Sequence, residues 1–408
     1  MSEWKEYKLG DIVDVAQGLA INAKTKHLLS DSGLPLLRIT DLIHNTQVQF
    51  VKKELAPKQT IALEEDIIYT RTGQVGLVFK GKIGIIHNNC FKVIPKNNKV
   101  TRNYIYWFLR QSVIKEIANS IASGSVQKDL NHSAFKSINI NVPEIGTQNS
   151  ITEVLSSLDD KIELNNKINQ ELESLAQLLF KRWFVDFEFP NVKGEPYKSS
   201  GGEMVDSELG EIPKGWKVKK LKQILNIKRG GSPRPIHDYM ASSGLPWVKI
   251  SDATALNSPF LFSTKEFIKA EGLKKTILIK KGSLILSNSA TPGLPIFLEL
   301  DACIHDGWLH FQDIQDVNYN FLYLLFLCIR KDLVGQGNGS IFINLKTDIL
   351  KEYSISIPSK EVLGKFSDSV NNIFDTIKNN SSENIELMKL RDFLLPKLIS
   401  GELQIKEN

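Results

Sequence analysis

The sequence predicts an α+β protein: two similar mixed α/β domains separated by two long helices that pair with one another. Three observations carry this. The chain repeats itself at a step of 211–215 residues, each repeat holds short β-branched runs broken by Gly and Asn, and each closes in a long apolar stripe of helical period. Solenoid units run at roughly 20–50 residues, so a repeat this long is a duplicated domain with its connector. At 408 residues the chain also exceeds one core. Two similar halves can present pseudo-two-fold symmetry, which duplex DNA shares.

The elements follow in order. Trp4-Lys5-Glu6-Tyr7-Lys8-Leu9 returns as Trp216-Lys217-Val218-Lys219-Lys220-Leu221, and Gly33-Leu34-Pro35-Leu36-Leu37-Arg38-Ile39-Thr40-Asp41 as Gly244-Leu245-Pro246-Trp247-Val248-Lys249-Ile250-Ser251-Asp252. Residues 67–70, 75–79 and 91–94 read as strands, and 284–287 takes the place of the first. Residues 103–118 read as one helix with Ile105, Phe108, Leu109, Val113 and Ile117 on its apolar face; Asn318-Tyr319 opens its counterpart. From there the offset is a constant 215, so that Gly124-Ser125 matches Gly339-Ser340, Leu130 matches Leu345 and Val142-Pro143 matches Ile357-Pro358.

Beyond each proline runs the stripe. Ile151, Leu155, Leu158, Ile162, Leu172, Leu175 and Leu179 recur as Phe366, Val370, Ile373, Ile377, Leu387, Leu390 and Leu394. Spacings of 3, 4 and 7 describe one face of a helix roughly 35 residues and ~50 Å long, and so narrow a stripe calls for a partner stripe. Both lapse at Asn165-Asn166 and Asn380-Ser381, polar seam positions of the kind that fix register at a cost in stability. Pro190 to Gly215, rich in Pro, Gly and Ser, reads as a linker. The expected boundaries are 1–144 and 215–358 for the domains, 145–186 and 359–408 for the helices with the C-terminal tail, and 187–214 for the linker.

Charge divides with the domains. Residues 1–143 hold 19 Lys+Arg against 12 Asp+Glu and residues 215–358 hold 18 against 12, while the remainder is acidic at 14 against 22. Two basic modules on an acidic frame suit a polyanion, although an excess this modest also fits an ordinary surface. Cys90, Cys303 and Cys328 stand apart without CxxC spacing, and Met1-Ser2-Glu3-Trp4 begins no secretory signal; both point to a cytoplasmic protein with reduced thiols. No apolar run approaches the ~20 residues of a membrane span, so no membrane partner is expected.

Catalytic motifs are missing. Gly76-Leu77-Val78-Phe79-Lys80-Gly81-Lys82 has P-loop spacing, but Ile83 stands where the Mg²⁺-binding hydroxyl belongs, and a hairpin suits the segment better. There is no HExxH, no Asn/Asp-Pro-Pro-aromatic segment and no glycine-rich cofactor turn. His87 and His305 occupy corresponding positions; DNA contact and a packed structural role both suit them, and the second is commoner. A binding protein whose chemistry belongs to another chain is the expectation, with no metal and no cofactor of its own.

Three segments resemble the specificity subunit of type I restriction–modification systems: Leu179-Phe180-Lys181-Arg182-Trp183-Phe184-Val185-Asp186-Phe187 its central conserved region, Leu209-Gly210-Glu211-Ile212-Pro213-Lys214-Gly215-Trp216 the entry to its second recognition domain, and Arg391-Asp392-Phe393-Leu394-Leu395-Pro396-Lys397-Leu398-Ile399-Ser400-Gly401-Glu402-Leu403 its conserved end. The resemblance covers essentially the whole chain. It implies two target recognition domains, each reading half of a bipartite, asymmetric site in double-stranded DNA, and an antiparallel coiled coil as spacer. It also implies two modification subunits, which carry S-adenosylmethionine and flip and methylate adenine, and two restriction subunits, which use ATP and Mg²⁺. A related system with a fused methyltransferase–nuclease partner, and a scaffold that binds protein rather than DNA, are the alternatives.

The resemblance supplies no residue code, so candidate DNA contacts rest on side-chain chemistry: Arg and Lys for guanine and phosphate, Asn and Gln for adenine, Ser and Thr for either. They are Arg38, Thr40, Arg71, Thr72, Gln74, His87, Asn88, Gln127 and Lys128 in the first domain, and Arg229, Arg234, Lys249, Ser251, Asn288, Ser289, His305 and Lys346 in the second.

Overall fold

A computed structural model describes residues 4–96, 98–335 and 344–405 of the chain. Gly339-Ser340, the match to Gly124-Ser125, lies outside the described residues, as does Met1-Ser2-Glu3. The chain divides into two compact units, Met1–Lys161 with Leu387–Asn408, and Ile162–Glu386.

The first unit holds two sheets. One runs in the order Val13–Gln17, Cys90–Pro95, Ile67–Thr70, Val78–Phe79; the other in the order Leu29–Ser30, Phe50–Val51, Leu34–Leu37, Gly84–Ile86, Ile61–Ala62. The second unit repeats the plan with Asn226–Arg229, Trp308–Gln312, Leu284–Ser287, Pro295–Leu298, Phe260–Leu261, and with Met240–Ala241, Glu266–Ile268, Leu245–Val248, Ala302–Ile304, Ile277–Ile279. The distinctive step is a parallel pair in an otherwise antiparallel sheet: Leu36 opposite Ile85 in one unit, Trp247 opposite Cys303 in the other. Each unit is closed by a two-stranded ladder between the first and last strands of its domain, Lys5 opposite Val142 and Lys217 opposite Ile357. Short β-branched runs form these strands because their branched side chains pack well on a pleated surface.

Residues 76–82 supply the second strand of a hairpin: Val78–Phe79 pairs antiparallel with Ile67–Thr70, and the chain then passes through Gly81, at positive φ, to Gly84–Ile86 in the other sheet. One local expectation fails. Residues 103–118 are not one helix but Arg102–Leu109 and Ser112–Ile121. Gln111 takes extended backbone, and its side-chain amide donates to the Phe108 carbonyl. The break shifts the helical phase, so Ile114 and Ala118 are buried while Val113 and Ile117 face outward. The second unit keeps a single helix here, Tyr319–Gly335.

The long helices are Ile145–Phe180 and Lys360–Ser400, 36 and 41 residues. The first continues into a π-helical turn at Lys181–Val185, and the second carries Pro396 at the position matching Lys181. Each unit contains the start of one helix and the end of the other. Ile151 and Leu155 share the first unit's core with Leu395, Leu398 and Ile399. At the same 215-residue offset, Phe366 and Val370 share the second unit's core with Phe180, Trp183 and Phe184. Phe184 packs edge-on against Phe366 and Phe321 at 4.6 and 5.0 Å between ring centroids, so the segment resembling the family's central region is an aromatic keystone of the core.

In the second unit the helices pair through a buried polar layer. Asn165 donates to Asn384 at 2.9 Å and Asn380 to Asn169 at 2.9 Å; Asn384 donates to Asn166 at 2.9 Å and Asn169 to Ser381 at 3.2 Å. Under the 215-residue offset each bond of a pair becomes the other, so the helices cross antiparallel and the layer carries an internal pseudo-two-fold. The stripe residues Val370 and Ile377 are fully buried in this unit, Ile373 nearly so, and Leu172 and Leu179 pack against the core. Ile162 is half-buried. In the first unit Leu155 is buried, and Leu158, Leu387 and Leu394 are half-buried. Leu175 and Leu390 correct the expected seam: they are 45% and 46% exposed, and Ala176 is buried in place of Leu175. The apolar face drifts around the helix because 3.6 residues per turn does not divide the heptad.

The connector is folded. Met204–Ser207 and Gly210–Pro213 form a hairpin. Phe189 stacks between Tyr197 at 4.5 Å and Trp216 at 5.3 Å, which orders a stretch whose Pro and Gly content suggests flexibility.

Candidate nucleic-acid interface

Both domains build the same frame where the parallel strands end. The strand Leu34–Leu37 gives way to Arg38 and the short helix Ile39–His44; the strand Leu245–Val248 gives way to Lys249 and the helix Ile250–Thr254. Arg38 forks onto Asp41 at 2.6 and 3.2 Å. Lys249 reaches Glu266 at 2.5 Å. Thr40 and Ser251 are exposed in the first turn of each helix.

In the second domain a loop from the neighbouring sheet meets this helix start, Ser289 and Ala290 lining one cleft with Ile250 and Ser251, and the first domain has the same loop clasp. Thr70 and Ser287 each donate a hydroxyl across their loop, to the carbonyls of Gln74 at 2.5 Å and Thr291, and accept from the amides of Leu77 and Leu294 at 2.9 Å. This clasp holds Thr72 and Gln74 in one domain, and Ser289 in the other, at the loop tip. Gly73, at φ +81°, corresponds to Ala290, at φ +57°.

His305 lines the same cleft, and His87 holds the matching position in the first domain. His305 Nδ1 accepts the Gly307 amide at 2.8 Å, and His87 Nδ1 accepts the Asn89 amide at 3.4 Å. Burial lowers both pKa values from 6.5, with Arg38 adding to the effect at His87 and Lys249 at His305, where Asp306 partly opposes it. Both rings are therefore neutral at pH 7, with the proton on Nε2. They hold their loops and retain one N–H donor each, so the structural and contact roles are compatible.

In the second domain Arg234, Lys249, Ser251, Ser289 and His305 line one open cleft. Arg229 donates to the Asp306 carbonyl at 2.6 Å, and Arg234 meets the Asp306 carboxylate at 3.3 Å. Lys346, exposed at the start of the helix Thr347–Glu352, is not among the cleft residues.

Two expected contacts are turned inward. Asn288 is 2% exposed. Arg71, its counterpart, donates to Gln17 at 3.0 Å and Asp129 at 2.6 Å, and Thr72 donates to Asp129 at 2.6 Å. Arg71 thus pins the loop 123–129 rather than presenting a free guanidinium. That loop carries Gln127 and Lys128, both exposed; Lys128 donates to the Asn119 carbonyl at 2.6 Å. Asn88 is half-buried, its carbonyl accepting from Gln17 at 2.7 Å. The anchoring acids Asp129 and Asp306 were not anticipated. Each adjoins an expected contact in sequence, but a counterion is recognisable only once its cation is seen beside it.

The profile of the type I restriction–modification DNA specificity domain matches residues 1–174 and 213–389. The chain belongs to this family. It is a specificity subunit of a type I restriction–modification system, the DNA-recognition component. The MjaIX specificity subunit of Methanocaldococcus jannaschii is 29% identical, covering 99% of this chain and 94% of its own. The HindI specificity subunit of Haemophilus influenzae is 27% identical over 99% of this chain and all of its own. The crystal structure of a type I restriction–modification S subunit from M. genitalium shares the fold, with a TM-score of 0.59 at 15% identity over 100% of this chain and 97% of that one. Among the described residues no helix is long and apolar enough to cross a membrane.

Proposed function

We propose that each mixed domain of this specificity subunit reads one half of a bipartite, asymmetric DNA site, that the paired helices set the spacing, and that the chain itself is not catalytic. One observation carries the reading: the two halves keep the same polar frame but change its side chains, Arg38 to Lys249, Thr40 to Ser251, Thr72 to Ser289 and Gly73 to Ala290. A duplicated frame gives two readers, and changed side chains give two different half-sites.

The chemistry is assigned to partners in the cytoplasm: two methyltransferase subunits holding S-adenosylmethionine, and two restriction subunits using ATP and Mg²⁺. Repeated exposed apolar side chains support a two-fold partner. Leu175 and Leu178 recur at the 215 offset as Leu390 and Phe393, and Leu178 and Phe393 are 61% and 60% exposed. Large apolar side chains kept exposed twice at matched positions suit two copies of one partner surface.

The experiment is methylation-site mapping in cells carrying the methyltransferase partner with and without this chain. A bipartite adenine-methylated motif present only with the chain supports the reading. An unchanged methylation pattern favours a protein-binding scaffold instead.

A further inference from the structure

We propose that the cleft of the second domain reads the C5-methyl group of a thymine in its half-site. The inference rests on the proposed role of that domain as a half-site reader. The cleft is lined by cationic and hydroxyl side chains together with the apolar Ile236, Trp247, Ile250 and Ala290. A phosphate contact requires only the polar ones. In the major groove a T·A pair presents the thymine methyl next to the O4 acceptor, with the adenine N7 acceptor beyond, so an apolar floor beside N–H donors matches it. Lys249 and the remaining ring N–H of His305 are such donors at the cleft.

Ala290 marks the methyl contact. It is exposed at the loop tip with φ +57°, a conformation that favours glycine, and the first domain has Gly73 at this point of the same clasp. The side chain strains the loop and adds one methyl to the cleft. A strained residue at a binding site is expected where the site gains from it. Arg234 and Lys249 stand at the cleft as N–H donors, each held by a carboxylate, Asp306 at 3.3 Å and Glu266 at 2.5 Å.

The test uses the full chain with its methyltransferase partner. Methylation mapping first defines the motif. Binding is then measured on duplexes in which each thymine in turn is replaced by deoxyuridine, for the native chain and for Ala290→Gly. One thymine of one half-site should lose roughly fourfold in affinity on losing its methyl, the effect of one buried methyl-sized group. Ala290→Gly should weaken binding of the thymine duplex by a similar factor and make binding indifferent to that methyl. Since glycine relieves the loop, thermal unfolding of the variant should be unchanged or later, separating lost contact from lost fold. The inference is overturned if no thymine in either half-site is sensitive to deoxyuridine, or if Ala290→Gly leaves the methyl preference intact. Absence of any bipartite motif would instead sink the half-site reading itself.

Discussion

At the scale of single residues, several of the candidate contact cations are already bonded within their domain: Arg38 to Asp41, Arg71 to Asp129, Arg234 to Asp306 and Lys249 to Glu266. Arg71 is the clearest case. Arg71→Ala should lower stability by about 1–2 kcal/mol, because Asp129 and Gln17 lose their donor and Asp129 is already partly wetted. Thermal unfolding checks this; an unchanged unfolding temperature with altered sequence preference would return Arg71 to the list of base readers. The histidines give a pH signature. Their folded pKa values lie below 6.5, so the folded state binds fewer protons than the unfolded state as pH falls through that value. Stability from these loops is fully present above pH 6.5 and declines below it. The protection of the Asn89 and Gly307 amides, taken relative to the intrinsic exchange rate at each pH, should fall between pH 6.5 and 5; a loss no larger than that of neighbouring loops would mean the Nδ1 acceptors are unimportant.

At the scale of elements, the two units solve one packing problem with opposite chemistry. In the first, Asp159 accepts from both Arg110 and Arg391, the latter at 2.6 Å. At the 215 offset those three positions become Phe374, Leu325 and Ala176, all within the apolar core of the second unit. Removing one partner of a partly buried ionic cluster strands the others, so Asp159→Ala should cost about 3 kcal/mol by denaturant unfolding. Replacing all three with their second-unit counterparts should be neutral or stabilising. A triple variant as damaged as the single one would refute this account. Exposed helix positions allow a different test: Leu178→Asp with Phe393→Asp should leave folding intact and abolish co-purification with the methyltransferase partner. Undiminished co-purification would place the partner elsewhere.

At the scale of the whole molecule, the repeat sets the logic. If the helices are the ruler, deleting seven residues from each in matched register shortens the pair by about 10 Å, close to three base pairs, while the stripe stays in phase. Motif mapping should then show both half-sites unchanged and the spacer shorter. A constant spacer would mean that something other than helix length sets it.

By itself the sequence determined the duplication, the strand and helix content of each half, and the polar lapse at Asn165-Asn166 and Asn380-Ser381. These are local signals: periodicity, turn chemistry and residue type act over a few neighbours. Tertiary structure alone decided the rest. The break at Gln111 turned Val113 and Ile117 outward, and Val78–Phe79 and Gly84–Ile86, on either side of Gly81, went to different sheets. Leu175 and Leu390 left the seam, although their spacing resembled that of Leu155. Arg71 and Asn288 turned inward while Lys249, Ser289 and His305 met at one cleft. Each outcome depends on which side chain first finds a partner distant in sequence. A buried polar group must be paired, and a helical face is fixed only when something packs on it.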